Sequence, residues 1–114
     1  MPRLLTFALL MLPLSALALE PEVQAAKDEG MPLYNAHLRS QAPPYLEPAA
    51  EAGDAEAMYY LGEIHRLRHM GMTREALEWY RRAAEHGEPY AMLWVSSAML
   101  AATVAISLAL PREA

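Results

Sequence analysis

The chain has no cysteine, which excludes structural disulfides and a lipid-modified cysteine behind an export signal. Its five glycines are dispersed, so no glycine-rich phosphate loop exists. Basic residues are outnumbered: nine Lys and Arg against fourteen Asp and Glu give a formal charge of −5, and the pairs Arg66/Arg68 and Arg81/Arg82 lie among acids. That balance leaves no electrostatic footprint for nucleic acid. Ser96, Ser97 and Ser107 stand in an apolar run with no nearby base, and Glu51, Asp54 and Glu56 straddle a helix junction as caps and solvated surface. With no nucleophile–base set, the expectation is a non-enzymatic protein without a cofactor. His65 and His69 have the i,i+4 spacing of a two-histidine metal pair. Arg66, Leu67 and Arg68 between them form no H-E-x-x-H signature, and two arginines oppose a cation, so no metal site is expected.

A chain of 114 residues has room for one small domain. Residues 1–18 have the pattern of an export signal. Arg3 is a short positive region, Leu4 to Leu12 an uncharged apolar run, and Ala16-Leu17-Ala18 an A-x-A cleavage site. The apolar run is short for a membrane span of about 20 residues. Cleavage near Leu19 removes only Arg3 and takes the charge from −5 to −6. A remaining chain of roughly 96 residues can bury only a limited core, so modest stability is expected.

The strongest signal is an internal repeat. Residues 45–61 (YLEPAAEAGDAEAMYYL) and 79–95 (WYRRAAEHGEPYAMLWV) share six of seventeen positions at a period of 34: Ala49/Ala83, Ala50/Ala84, Glu51/Glu85, Gly53/Gly87, Ala57/Ala91 and Met58/Met92. Four further pairs are close substitutions: Tyr45/Trp79, Asp54/Glu88, Tyr60/Trp94 and Leu61/Val95. A fixed period of this length predicts an all-α fold of stacked helical hairpins, an architecture that offers binding surfaces more often than reactive sites.

Local signals place the helices. Residues 19–41 form an N-terminal helical segment, a degenerate first repeat, with weak periodicity interrupted by Gly30 and Pro32; two short helices near 22–29 and 33–39, or one kinked helix, fit it. Pro43 and Pro44 open the next helix, with Pro48 in its first turn, and Gly53 closes it in a left-handed conformation. Asp54 caps the following helix, whose stripe is Ala57, Leu61, Ile64 and Leu67; it ends near His69, with Gly71 as its breaker. Thr73 caps a third helix, on which Glu78/Arg82 and Arg81/Glu85 are spaced as i,i+4 ion pairs. Gly87 ends it, and Pro89 opens the last. The predicted antiparallel pairs are 42–52 with 55–68 and 55–68 with 74–86. Small residues at 49, 50, 62, 83 and 84 let helices approach closely, while Tyr45, Trp79 and Tyr80 supply large buried areas.

Residues 55–95 resemble a Sel-one-like repeat, a relative of the tetratricopeptide repeat. Ala57, Leu61 and Gly62 fit the A-x-x-x-L-G pattern of its first helix, and Ala76, Trp79, Tyr80, Ala83, Ala84 and Gly87 fit the W-Y-x-x-A-A-x-x-G pattern of its second. Ala42, Leu46, Ala49, Ala50 and Gly53 resemble the second helix of a preceding copy, with Pro43 and Pro44 where Leu77 and Glu78 stand later. The resemblance covers a repeat region over 42–89. It implies a right-handed α/α-hairpin solenoid and a role as a scaffold or adaptor, often in bacterial envelopes, and not a catalyst.

The expected function is therefore protein–protein interaction by an exported helical-repeat protein, periplasmic or secreted. Tyr60, Glu63 and Trp94 lie away from the Leu61/Ile64 stripe and are the expected contacts for a partner of unknown identity. The last segment, 90–110, carries no charge and spans about 31 Å as a helix at ~1.5 Å per residue. A terminal helix with no polar face needs a cover. The sequence leaves open a bilayer, a second copy of the chain, a partner or a fold-back. If it is a bilayer, the protein is an adaptor tethered to the inner membrane by a helix spanning 90–110.

Overall fold

The structure, a computed structural model, describes residues 18–111, and the expected export signal at 1–18 lies almost wholly outside them. Among the described residues the chain is all-helical: α1 (Pro21–Asn35), a 3-10 turn (Arg39–Gln41), α2 (Pro43–Glu51), α3 (Ala55–Arg68), α4 (Arg74–Glu85) and α5 (Pro89–Ala109). Each helix packs on the next, α3 on α4 most extensively. The connections are short, so neighbours run antiparallel.

Two hinges repeat at the sequence period. Gly53 and Gly87 take φ of +96° and +90°, where a side chain is strained. At the first hinge the Gly53 and Asp54 N–H groups donate to the Ala50 and Ala49 carbonyls; at the second, Gly87 and Glu88 donate to Ala84 and Ala83. These bonds close the ending helix in a Schellman motif. The next residue immediately starts another helix, because Asp54 accepts from the Ala57 N–H at 3.0 Å and Glu88 from the Ala91 N–H at 2.6 Å. Thr73 caps α4 in the same way, accepting from Ala76.

The other turns differ from the expectation. The breaker of α3 is Met70, with φ of +54°, and Gly71 follows it, donating to the Arg66 carbonyl. His37 does the same after α1 with φ of +63°. α1 is one helix running through Gly30 and Pro32, the second of the two expected arrangements, but it ends at Asn35 and not near residue 39. Gly30 is a contact point and not a break: a Cβ there would meet Leu46 Cδ2 and Tyr45 Cβ at 2.9 Å. Pro48 lies a turn further into α2 than expected, since the helix begins at Pro43.

Among the described residues twelve hydrophobic side chains form the buried core, and seven are alanines: 42, 49, 50, 57, 76, 83 and 91. The helices are therefore close-packed, but only Leu46, Met58, Leu61, Ile64 and Tyr80 bring large side chains, each stabilising by about 1.5–3 kcal/mol. Tyr45 and Trp79 are not core residues. Tyr45 is exposed, and Trp79 is half-buried beneath the Arg82 guanidinium, 4.5 Å from the ring centroid. One residue is 100° of helix rotation, so it is the neighbours that face the core: Leu46 beside Tyr45, and Tyr80, buried as expected, beside Trp79. Arg82 is thereby lost to Glu78, which pairs with Arg81 at 2.6 Å; the Arg81–Glu85 pair forms as expected, also at 2.6 Å. Lys27 ties α1 to the start of α3, reaching Asp54 at 2.9 Å and Glu56 at 3.3 Å.

α5 is long and apolar enough to cross a membrane, by length and composition alone. Its two halves differ. Ala91 is buried and Trp94, Val95 and Ala98 are half-buried, whereas residues 99–110 are exposed on every face. Leu77 and Arg81 of α4 line a cavity of about 250 Å³ with Val95, Ala98, Met99 and Ala102, so α4 runs beside α5 as far as Ala102.

Candidate functional site: an aromatic groove over a buried carboxylate

α3 builds the floor through residues three and four apart, which share a helix face. Tyr59, Tyr60, Glu63 and Arg66 follow this spacing. Tyr90, Leu93, Trp94 and Ser97 form the matching stripe on α5, α1 adds Tyr34, and α4 adds Tyr80 from below. The rings interlock. Tyr34 meets Tyr60 edge-on at 4.7 Å, and Tyr59 touches Tyr60, Tyr80 and Tyr90 at 5.3, 5.9 and 5.9 Å. Trp94 stacks on Tyr80 at 5.8 Å, with the Arg66 guanidinium 4.6 Å from its centroid.

Glu63 anchors this assembly. It is 7% exposed. Its carboxylate accepts from Tyr80 Oη at 2.5 Å, from Arg66 Nη2 at 2.9 Å and more weakly from Tyr34 Oη at 3.4 Å. Arg66 Nε also donates to Tyr80 Oη at 3.1 Å. Burial pushes the Glu63 carboxyl up, but the hydrogen bonds from Arg66, Tyr80 and Tyr34 and the arginine charge outweigh it and hold the group below the usual carboxylate range. Burial, and then the hydrogen bond to Glu63, push the Tyr80 phenol far up. Burial and the Glu63 charge push Tyr59 up to about 12. The site is thus a neutral aromatic surface over a fully satisfied ion pair; among the described residues no buried side-chain nitrogen or oxygen lacks a partner.

Two cavities open above this floor. One, of about 430 Å³, lies among Tyr59, Glu63, Arg66, Tyr90, Leu93, Trp94 and Ser97. The other, of about 280 Å³, lies among Tyr34, Glu56, Tyr59, Tyr60, Glu88 and Tyr90. Tyr59 and Tyr90 are common to both, so they form one groove. Its first part sets Leu93 and Trp94 beside the Glu63–Arg66 pair and Ser97, and its second is rimmed by two carboxylates.

Comparison with protein-family models, curated proteins and solved structures finds no match for this chain. The geometry therefore carries the functional argument.

Tyr60, Glu63 and Trp94 come together at this groove. Tyr60 and Trp94 line it or support it, while Glu63 is held in the floor by three partners. Sequence reasoning missed Tyr34, Tyr59, Arg66 and Tyr90. The spacing Tyr59-x3-Glu63-x2-Arg66 was the available signal, since it places a ring, an acid and a base on one face. The remaining repeat residues have packing positions. Ala49, Ala50, Ala57, Leu61, Gly62, Ala76, Tyr80 and Ala83 are buried, Ala84 is half-buried, and Gly53 and Gly87 form the hinges. Gly62 marks where α3 and α4 approach, because a Cβ there would lie 2.9 Å from the Tyr80 ring. Among the described residues, no three His, Asp or Glu side chains gather as a metal site.

Proposed function

We propose that this chain is a non-enzymatic, exported helical-repeat adaptor of the cell envelope that captures a segment of a protein partner in the α1–α3–α5 groove. The observation that supports this reading is the pair of adjoining cavities sharing Tyr59 and Tyr90, one aromatic and one rimmed by Glu56 and Glu88. Aromatic and aliphatic side chains gain most from rigid aromatic walls, and carboxylates at a rim select a basic neighbour. The ligand is thus a peptide segment with an apolar residue next to a lysine or arginine. The Glu63–Arg66–Tyr80 network positions the walls, and the edges of Glu63 and Arg66 that reach the larger cavity are already paired with each other. The hinges matched at 34 residues and the Sel-one-like pattern support the repeat-adaptor class.

Peptide display against the full-length chain tests this. The expected selection is enriched in apolar–basic pairs, and Tyr59→Ala/Tyr90→Ala loses at least about tenfold in affinity, as truncated aromatic hot spots do. Selected peptides that bind the double variant equally well would refute the groove.

A second reading, a membrane-tethered adaptor with 90–110 as the span, is favoured by the length and exposure of α5. It requires α4, with Glu78 and Arg81, to leave the side of α5. Carbonate extraction that leaves the chain in the membrane, and releases it when 96–110 is deleted, would support the span.

A further inference from the structure

The two ends of the helix stack differ in chemistry. α1 and α3 run parallel, so the turns that follow them share one end, where His37, Arg39 and Ser40 lie against Leu67 and Arg68. α5 runs back along α4 toward the same end, and its unpacked residues 103–110 project from it. This end exposes Leu38, Met70 and Met72, Met70 to 95%. It also carries Arg39, Arg68 and Arg74, none of which forms an ion pair among the described residues. Glu75 is at this end and Glu47 lies further in, both close to His65. The opposite end holds Glu20, Glu22, Glu51, Asp54, Glu56 and Glu88, with Lys27 bridging Asp54 and Glu56. A chain of net charge −5 thus concentrates unpaired arginine where its apolar tips are exposed.

We infer that this end docks on an anionic lipid bilayer, with Arg39, Arg68 and Arg74 among the headgroups and Leu38, Met70, Met72 and residues 103–110 entering the apolar boundary. Basic residues beside exposed apolar tips are what an anionic surface attracts. A second copy is the weaker occupant. Symmetric pairing of these ends would bring arginine against arginine, and a partner helix covers one stripe of α5 while residues 103–110 are exposed all round. Eight residues reach about 12 Å, under half of a hydrocarbon core of ~30 Å. Thr103 Oγ1 donates to the Met99 carbonyl at 2.9 Å, which satisfies the hydroxyl within the helix. The α1–α3–α5 groove is on the flank and stays open.

The absence of cysteine allows one thiol to carry one probe. Full-length chain with an environment-sensitive dye at Met70→Cys, or at Glu51→Cys on the acidic end, is titrated with vesicles of phosphatidylglycerol mixed with phosphatidylcholine, and with pure phosphatidylcholine. The Met70 probe is expected to shift to the blue only with phosphatidylglycerol, and the Glu51 probe not at all. R39Q/R68Q/R74Q, whose sites lie outside the core, weakens vesicle binding by about fivefold per arginine, roughly a hundredfold in all. An unshifted Met70 probe on vesicle-bound protein would show attachment through another segment and overturn the inference. A shift of equal size in pure phosphatidylcholine, or full binding by the triple variant, would also overturn it.

Discussion

Replacing Glu63 by glutamine removes the negative half of the ion pair beneath the groove with little change of shape. The glutamine Oε1 still accepts from Tyr80, now 2.5 Å away, but its amide N–H2 faces Arg66 Nη2, itself a donor, at the position of the 2.9 Å contact. A charge-assisted hydrogen bond contributes about 1.5–3 kcal/mol. Arg66 keeps its Trp94 stack and its side chain is 24% exposed, so a net loss of about 2 kcal/mol is expected. For a domain of this size each kcal/mol moves Tm by about 4–8 °C, giving a fall of roughly 8–16 °C at about pH 7. The pH dependence identifies the cause. The Glu63 carboxyl is held below its ordinary value in the folded chain. Its stabilisation is therefore complete above the unfolded pKa and is lost as pH falls through the lower folded one. Glutamine does not titrate, so the gap between the two proteins should close as pH falls below the ordinary carboxylate range and through the lowered Glu63 value. Urea or thermal melts by circular dichroism at several pH values measure this. A gap under about 0.5 kcal/mol at neutral pH, or one that stays constant into acid, would refute the network.

Gly62→Ala should destabilise by about 1–3 kcal/mol despite the better helix propensity of alanine, because the Tyr80 ring 2.9 Å from the new methyl is pinned by Glu63 and Trp94; an unchanged urea midpoint would contradict the close approach. Met70→Gly should stabilise by about 0.5–1 kcal/mol, since Met70 is left-handed and 95% exposed; a loss of stability would show that φ is wrong there. Tyr80→Ala should cost about 3–5 kcal/mol and Trp79→Ala markedly less, because Tyr80 is fully buried and Trp79 is not; the reverse order in thermal melts would overturn the assignment of the core face.

Features that depend on neighbours in sequence were readable in advance. Gly53 and Gly87 end helices and Asp54 and Thr73 begin them through bonds that close within six residues. Features that depend on distant partners were not. Glu63 looks like a surface acid until Tyr80, seventeen residues away, and Tyr34, twenty-nine away, are brought to it. Gly30 reads as a helix breaker until Leu46 occupies the space it leaves. Met70 takes the left-handed position because the turn after α3 closes one residue before its glycine, a choice of register that composition does not encode. Of the groove, Tyr60 and Trp94 were visible through their shared repeat position, whereas Tyr90 and Arg66 gained meaning only when α5 lay beside α3.

The chain has two tryptophans, Trp79 and Trp94, so Trp79→Phe leaves Trp94 as the sole tryptophan reporter of the groove. The decisive measurement is its fluorescence during titration with a peptide carrying an apolar residue next to an arginine. A saturable shift in Trp94 emission is expected, and Tyr59→Ala/Tyr90→Ala abolishes it. A peptide that binds the full-length chain while Trp94 emission stays constant would contradict that expectation.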